Sequence, residues 1–221
     1  MRWPGNIEQA KEMQERMRSR VRITTYRGTT HYVAGVDASF TKDHVAAAAC
    51  LYSYPDLICQ EKSIAIEELR FPYVPGYLAF REGPAIIAAI KKLARKPDII
   101  LVDGQGIAHP RMFGIACHIG VQLNVPTIGC AKTRLVGDHR VPGVRKGSRS
   151  DLQYEGKIIG AVVRTRYNVR PLFVSPGHRI NRSGAVNFVL SCVRNYRIPE
   201  PIRCADTASR DAAKNILRPN L

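Results

Sequence analysis

Residues 97–106 read PDIILVDGQG, in which four consecutive apolar residues lie between a Pro-Asp pair and a glycine-rich turn. A short, unbroken apolar run of this kind is typical of a strand that is buried on both faces of a sheet. A helical pattern over residues 78–95 precedes it, a predicted helix over residues 113–123 follows it, and a second buried strand is predicted over residues 126–130. This alternation of strands and helices favours a parallel sheet wrapped by helices.

The residues upstream of this unit follow a different pattern. Three apolar, β-rich runs at residues 32–40, 45–54 and 58–66 are separated only by short turn-like breaks, which predicts three sequential antiparallel strands. We therefore expect a single mixed α/β domain over residues 1–221, in which three antiparallel meander strands plus parallel strands form a central sheet flanked by helices. The remaining predictions are helices over 6–20, 183–196 (with Ser183 as N-cap) and 206–217, strands over 157–166 and 171–174, and a mobile basic loop over 136–151.

The chain is strongly basic. Its 34 Lys and Arg residues against 18 Asp and Glu residues give a formal net charge of +16. Such a balance indicates a polyanionic partner, although charge alone does not separate DNA from RNA or from an anionic membrane surface. The alternative is membership of a proteome whose proteins generally have high isoelectric points. The charge therefore favours a polyanionic partner such as a nucleic acid but does not identify it.

The cysteines and the hydropathy pattern bear on the cellular compartment. None of the six cysteines belongs to a CxxC pair, and no His lies at zinc-finger spacing, so we expect reduced thiols in a cytoplasmic protein. The N-terminal residues are too polar for a secretory signal, and no apolar run approaches the length of a membrane span. We expect a cytoplasmic monomer without a membrane partner.

Two aspartates follow apolar strand segments. Asp37 ends the run VAGVD at residues 33–37, and Asp103 ends the run LVD at residues 101–103. If these strands are parallel neighbours, both carboxylates emerge at one sheet edge, the usual site position in open α/β sheets. Clustered carboxylates repel each other unless a cation neutralises them, and oxygen ligands without His or Cys favour Mg²⁺ or Mn²⁺ over zinc. The alternative is that each Asp caps a turn.

Four further side chains are chemical candidates only as members of a set. Glu82 and Asp206 are predicted near helix starts, where a carboxylate commonly does no more than interact with the helix dipole. Lys132 follows the predicted strand over residues 126–130, so it either holds a phosphate or is a solvated lysine. His109 lies in a turn, as a polar support or as a surface residue.

The segment Pro72-Tyr73-Val74-Pro75 differs in kind from these candidates. Two prolines hold an aromatic ring in a loop that cannot easily collapse. A rigid loop with an exposed aromatic side chain suits insertion between base steps. The alternative is that the Tyr73 ring packs back onto the domain.

Several segments carry a resemblance when they are taken together and in order. They are VAGVD (33–37), FPYVPG (71–76) with LAFRE (78–82), VDGQG (102–106) with HPR (109–111), VPTIGCAK (125–132), PLFVSPGH (171–178), and RIPEP (197–201) with AD (205–206). This combination resembles endonuclease V, a repair nuclease with an RNase H-like fold. The N-terminal helix and the basic loop over residues 136–151 match poorly, so nothing is inferred for them.

The resemblance implies a role for each motif. The acidic site for Mg²⁺, with Mn²⁺ as a substitute, would consist of Asp37, Glu82, Asp103 and Asp206. Lys132 and His109 would give catalytic support. The lesion wedge would be Pro72, Tyr73, Val74 and Pro75. The pocket for an extruded base would be lined by Gly76, Gly104, Ile115 and Leu135.

The implied function is DNA repair by a metal-dependent endonuclease that recognises deoxyinosine. The resemblance implies hydrolysis of the second phosphodiester bond on the 3′ side of the lesion, leaving a 3′-hydroxyl and a 5′-phosphate. Deamination of adenine creates a 6-oxo acceptor and an N1 proton, a pattern that a pocket can recognise once the base is extruded. The alternatives are a ribonuclease that cuts inosine-containing single-stranded RNA with the same site, a non-catalytic binding module, and a basic structural protein. Four carboxylates on a +16 chain argue against the binding module.

Overall fold

A computed structural model of the chain describes residues 3–217, so the first two and the last four residues of the domain predicted over residues 1–221 lie outside it. Within that range the chain forms eight strands and five helices. The strands are β1 (Tyr32–Phe40), β2 (His44–Ser53), β3 (Cys59–Glu68), β4 (Ile99–Val102), β5 (Thr127–Ala131), β6 (Arg149–Tyr154), β7 (Lys157–Val163) and β8 (Leu172–His178). The helices are α1 (Ile7–Arg18), α2 (Leu78–Lys92), α3 (Ile115–Leu123), α4 (Arg182–Ser191) and α5 (Glu200–Leu217). None of these five helices combines the length and the apolar character that crossing a bilayer requires.

The strands of the described range join one sheet in the order β3-β2-β1-β4-β5-β8-β7-β6. The first three strands of the chain pair antiparallel, as predicted, and β1, β4 and β5 are parallel neighbours at the centre. The predicted fold class, a mixed sheet flanked by helices, is therefore confirmed. β8 runs antiparallel to β5 and begins a second antiparallel block with β7 and β6, which the sequence pattern did not predict.

The alternating side chains of the central strands supply a core on each face of the sheet. Ile99 and Leu101 of β4 pack with α4 and α5 on one face. Ile100 and Val102 pack with α2 and α3 on the other face. This burial on both faces explains why β4 is an unbroken apolar run. The parallel strands therefore end between two helical layers, where ligands bind in open α/β folds.

Helix α5 approaches β1 at backbone distance. A Cβ atom on Gly35 would lie 2.0 Å from the carbonyl carbon of Pro201, so this contact requires glycine in the strand. Further along the same two elements, the hydroxyl oxygens of Ser39 and Ser209 lie 3.0 Å apart. The two contacts fix the position of α5, and with it Asp206, over β1.

The start of α5 differs from the prediction. The helix begins at Glu200, well before the predicted start at Asp206. Pro201 lies in the first turn, where a missing backbone N–H costs no helical hydrogen bond. Asp206 is consequently a residue of the second turn and not an N-terminal one.

Helix α4 begins and ends at different residues from those predicted. It spans Arg182–Ser191, which is shorter than the predicted range of 183–196. Its N-cap is Asn181 and not Ser183, because the Asn181 side chain accepts a hydrogen bond of 2.8 Å from the backbone N–H of Gly184. This is the usual satisfaction of a free N–H group at a helix start.

The predicted mobile basic loop over residues 136–151 is only partly a loop. Residues 149–151 are the first residues of β6. Asp138 pairs with Gln153 of β6 through two backbone hydrogen bonds, of 2.7 and 2.9 Å. The charged residues that suggested a loop are also compatible with a strand at the edge of a sheet, and β6 is such a strand.

Candidate active site

Asp37 and Asp103 leave the sheet side by side. The parallel pairing of β1 with β4 ends at Val36 and Val102, and the backbone N–H of Asp103 donates to the carbonyl of Val36 at 3.1 Å. Asp37 does not end its strand, as the sequence suggested, because β1 continues to Phe40 along β2. It is nevertheless the first residue beyond the parallel pairing, so both carboxylates meet at one sheet edge.

A third carboxylate reaches this edge from α5. One oxygen atom from each of Asp37, Asp103 and Asp206 lies within 4.8 Å of the other two, and no other group of three or more potential metal ligands is this close within residues 3–217. Asp206 belongs to the second turn of its helix, so interaction with the helix dipole does not explain it. We call these three side chains the carboxylate group.

Glu82 approaches the carboxylate group from α2, on the opposite face of the sheet. It is buried and lies in the second turn of its helix, so the dipole explanation fails here too. Burial raises the pKa of the Glu82 carboxyl well above its ordinary range, and the charges of Asp37 and Asp103 raise it further. The structure thus brings Glu82 near the group, although it is not one of the three mutually close carboxylates.

Burial also perturbs Asp37. It raises the pKa of this carboxyl to about 7, and the neighbouring charge of Asp103 acts in the same direction. A hydrogen bond of 2.8 Å from the backbone N–H of Ala38 and the charges of Lys132 and Arg210 offset part of that increase. Several acidic groups are therefore held together at an electrostatic cost, which a divalent cation would remove. The donor set contains only carboxylate oxygens and so fits a hard cation such as Mg²⁺ or Mn²⁺.

Two basic side chains border the carboxylate group. Lys132 Nζ lies 2.6 Å from Asp103 Oδ2 and 3.6 Å from Asp206 Oδ1. Arg210 pairs with the other oxygen of Asp206 from one turn further along α5. We did not predict Arg210 from the sequence. The signal was its spacing of four residues from Asp206, which places both on one face of a helix.

His109 is not a member of the cluster of potential metal ligands that the carboxylate group forms, and it holds the segment that follows Pro75. Its Nε2 donates to the carbonyl of Gly76 at 3.0 Å, since its Nδ1 accepts from the backbone N–H of Arg111 at 3.1 Å. Burial, and then the Arg111 charge, lower the pKa of His109 to about 4, so the ring is neutral at pH 7. Arg111 Nη2 and Gln14 Nε2 donate to the same carbonyl at 2.7 and 2.9 Å. Three side chains therefore fix this end of the loop.

The predicted wedge loop, Pro72–Pro75, presents its aromatic ring to solvent. Tyr73 is 70% exposed, which excludes the alternative of a ring packed into the domain. Val74 packs instead against an apolar cluster that includes Phe71 and Phe80. The loop is thus anchored through one side chain while the neighbouring ring stays free.

A cavity of about 370 Å³ opens between the wedge loop and the carboxylate group. Its lining includes Tyr73, Asp103 and Lys132. All four residues predicted for a base pocket also line it: Gly76, Gly104, Ile115 and Leu135. The volume falls within the range of small-molecule sites, ~300–1,000 Å³. A Cβ atom on Gly104 would lie 2.6 Å from Ile115 Cγ2, so a side chain at this position would collide with Ile115 and narrow the cavity.

Comparison with known proteins identifies the family. The sequence model of one family, Endonuclease V, matches residues 15–207. The chain belongs to the endonuclease V family. Endonuclease V of Trichormus variabilis is 50% identical over 208 residues, which cover 92% of this chain and 94% of the relative. Endonuclease V of Roseiflexus castenholzii is 45% identical over 205 residues, 92% of each chain. The predicted resemblance is confirmed, and so is the prediction of an endonuclease, a phosphodiester hydrolase.

Solved structures of the family share the fold. The crystal structure of endonuclease V from Streptomyces avermitilis superposes with a TM-score of 0.93 at 39% identity, covering 97% of this chain and 96% of that one. Endonuclease V from Ciona intestinalis superposes with a TM-score of 0.82 at 29% identity, covering 95% of this chain and 98% of that one. The Ciona protein was solved in complex with a 24mer DNA containing an inosine followed by a ribo-adenosine.

Proposed function

We propose that this endonuclease acts in DNA repair, where it recognises deoxyinosine and hydrolyses the second phosphodiester bond on the 3′ side, leaving a 3′-hydroxyl and a 5′-phosphate. The observation that carries the proposal is the placement of one cavity between an exposed aromatic wedge and a carboxylate group. The inosine-containing DNA bound to the Ciona relative supports the substrate class.

We assign the metal site to Asp37, Asp103 and Asp206, with Glu82 completing the acidic set. Mg²⁺ is the proposed cation, and Mn²⁺ should substitute for it because both accept carboxylate oxygens. When bound, the cation neutralises charge on the scissile phosphate and acidifies the attacking water. The raised pKa of Asp37, about 7, and that of Glu82 support this assignment, since ligand carboxylates crowded together are expected to resist ionisation until a cation arrives.

Lys132 is the side chain that we propose binds the scissile phosphate directly. Its side chain is 44% exposed at the rim of the carboxylate group, so a phosphate oxygen can reach the ammonium. A fixed positive charge at this position stabilises the charge that develops on the phosphate during hydrolysis. Arg210 holds Asp206 in place from the next turn of α5.

The cavity is the proposed pocket for the extruded base. Gly76 and Gly104 line its wall without side chains, and both residues have positive φ angles, of +82° and +154°. Backbone donors and acceptors suit a base that differs from adenine by a 6-oxo group and an N1 proton. Ile115 and Leu135 would contact the base plane. His109 is a positioning residue in this scheme, because it acts through the carbonyl of Gly76.

The wedge loop would stabilise the gap that extrusion leaves in the duplex. The Tyr73 ring is exposed beside the cavity, so it can stack where the base had been. Extrusion costs a few kcal/mol and least for a mispaired base, which favours inosine opposite thymine.

The second candidate is a ribonuclease that cuts inosine-containing single-stranded RNA with the same site. The ribo-adenosine next to inosine in the Ciona complex gives this candidate specific support. Matched oligonucleotides test both candidates: duplex DNA with inosine, the same duplex with adenosine, and single-stranded RNA with inosine. Preferential cutting of inosine DNA supports the proposal, and faster cutting of inosine RNA supports the alternative. Equal cutting of the inosine and adenosine duplexes contradicts recognition of deoxyinosine.

A further inference from the structure

A second exposed aromatic residue lies at the same sheet edge as the carboxylate group. The β7–β8 loop, residues 164–171, connects Val163 to Leu172. Because β8 is antiparallel to β5, with Phe173 paired to Ala131, this loop lies at the end of β5 from which Lys132 emerges. Arg197 joins the two places, since its Nη2 donates to the carbonyls of Lys132 (2.8 Å) and Pro171 (2.7 Å).

The tip of the β7–β8 loop combines an exposed ring with exposed positive charge. Tyr167 is 72% exposed, as free as the Tyr73 ring of the wedge loop. Arg166 and Arg170 flank it and are also exposed. Among the ion pairs formed within residues 3–217, none involves Arg166 or Arg170. Arg166 donates to the carbonyl of Asn195, and no carboxylate neutralises either charge within the described residues.

The fold fixes this loop in place. Arg164 is buried, and its guanidinium donates to the carbonyls of Gly143 (3.1 Å) and Pro142 (3.0 Å) and to the carbonyl of Val169. The backbone N–H of Asn168 donates a hydrogen bond of 2.9 Å to the carbonyl of Val144 in a neighbouring loop. The ring of Tyr167 is thus presented by a backbone that is already ordered, which lowers the entropic cost of binding.

The exposed positive charge of the loop favours a nucleic acid over a protein partner. Arginine supplies phosphate contacts, and an aromatic face stacks on any base regardless of sequence. We propose that the β7–β8 loop is a second nucleic-acid contact, in which Tyr167 stacks on an unpaired base of the substrate strand outside the lesion cavity while Arg166 and Arg170 contact the adjoining phosphates. The proposal rests on the proposed function, because it assigns the loop to the strand that is cut.

The test uses single-stranded inosine oligonucleotides shortened stepwise from the 5′ end or from the 3′ end. In Mg²⁺, Tyr167→Ala should lower kcat/KM on the longest oligonucleotide by about 5- to 150-fold, the range expected for one stacked base. In one of the two series, the kcat/KM values of the variant and the wild type should become equal once the oligonucleotide is too short to reach the β7–β8 loop. Tyr167→Phe should keep near-normal values, and Ile58→Ala, which removes an exposed apolar side chain at the opposite sheet edge, should have no effect.

Salt dependence provides an independent measurement. Arg170→Ala should reduce the slope of log affinity against log salt concentration by about one, the value for one lost phosphate contact.

Two results would overturn the proposal. One is a kcat/KM for Tyr167→Ala that equals the wild-type value on the longest oligonucleotide. The other is an equal loss of kcat/KM at every length together with a lowered Tm. If the wild type cut no inosine oligonucleotide, either as a single strand or in duplex DNA, the proposed function would fail instead. The loop would then be judged on unmodified single-stranded DNA, where Tyr167→Ala must still weaken binding.

Discussion

At the scale of single residues, the carboxylate group is held together against its own repulsion. Asp37 has a pKa of about 7, raised by burial and by the neighbouring charge of Asp103. In the unfolded chain its pKa is 3.8, so the cost of ionising it in the folded protein accumulates as the pH rises from 3.8 to 7 and is complete above 7. Charge at this position is retained at the expense of stability, as expected of a functional site.

Asp37→Asn should separate the effect of the Asp37 carboxylate on cleavage from its effect on stability. The variant should lose at least ~100-fold in cleavage rate, because a proposed metal ligand is removed. In chelator at pH 8 it should be more stable than the wild type by about 1–4 kcal/mol, a gain that should vanish near pH 4. Denaturant unfolding in chelator measures this, with Asp43→Asn, an exposed residue of the β1–β2 turn, as the control. Near-normal turnover of Asp37→Asn would show that this carboxylate is not a ligand.

Tyr73 tests the wedge independently of the metal site. Tyr73→Ala should keep the metal requirement and the cut position, while its affinity for duplex inosine DNA falls by about 5- to 150-fold, because one base–aromatic stack is lost. The loss should shrink in single strands, where no stack has to be opened. Binding to both substrates and the Tm should be measured, with Tyr73→Phe as the control. A lowered Tm with equal losses on both substrates would assign Tyr73 a structural role.

Residue identities at the site could be predicted to different degrees. Asp37 and Asp103 follow apolar runs, so parallel pairing sufficed to bring them together. The contact between Gln14 and the carbonyl of Gly76 joins segments 62 residues apart, and nothing in either local pattern indicates it. Arg210 was missed although the predicted helix over residues 206–217 contained both it and Asp206, whose spacing of four residues was the available signal.

At the scale of elements, periodicity predicted the strands and helices of the central unit well. β4 is where its unbroken apolar run placed it, because burial on both faces allows no polar alternation. The direction of β8 could not be predicted, since a buried strand has the same composition in either direction. The early start of α5 was hidden by prolines, which occur both in loops and in first helical turns.

The contact of α5 with β1 links packing to the site. Gly35→Ala would place a Cβ 2.0 Å from the backbone of Pro201, so α5 must move away from the sheet and carry Asp206 with it. We expect a destabilisation of about 1–3 kcal/mol and a weaker response to Mg²⁺. Tm and the Mg²⁺ concentration for half-maximal cleavage measure both effects. Gly5→Ala, where a Cβ meets only a side-chain oxygen at 3.9 Å, is the control; equal behaviour of the two variants would contradict the role of Gly35.

The N-terminal segment and α3 meet around a buried histidine. Trp3 stacks on His118 with ring centroids 5.0 Å apart, and the edge of Phe80 closes the same space. Burial lowers the pKa of His118 to about 4, so the folded protein keeps the ring neutral where the unfolded chain, with a pKa of 6.5, takes up a proton. The contribution of His118 to stability is therefore complete above pH 6.5 and falls as the pH drops toward 4.

His118→Gln should reduce this pH dependence. The free energy of unfolding should be measured between pH 7 and pH 4 for the wild type and the variant. The difference between them should change by up to about 3 kcal/mol over that range, since each pKa unit corresponds to about 1.4 kcal/mol. His31→Gln at an exposed position serves as the control. Parallel curves for the wild type and His118→Gln would show that the buried ring does not control the pH dependence.

At the scale of the whole molecule, a chain with a net charge of +16 contains an acidic site that Lys132 and Arg210 border. Composition predicted a polyanionic partner but did not show that the positive charge and the carboxylates meet at one sheet edge, because that arrangement follows from strand order. The single domain over residues 1–221, the monomeric state and the cytoplasmic location stay predictions.

The most direct test of the central claim is to map the cut in an end-labelled duplex with one inosine, in Mg²⁺ and in chelator. We expect one product in Mg²⁺, cut at the second phosphodiester bond 3′ to inosine with a 3′-hydroxyl and a 5′-phosphate, and none in chelator. The carboxylate group accounts for the expected metal requirement, because Asp37, Asp103 and Asp206 repel a phosphate unless a cation lies between them. Robust cleavage in chelator, or a cut at another bond, would contradict the assignment.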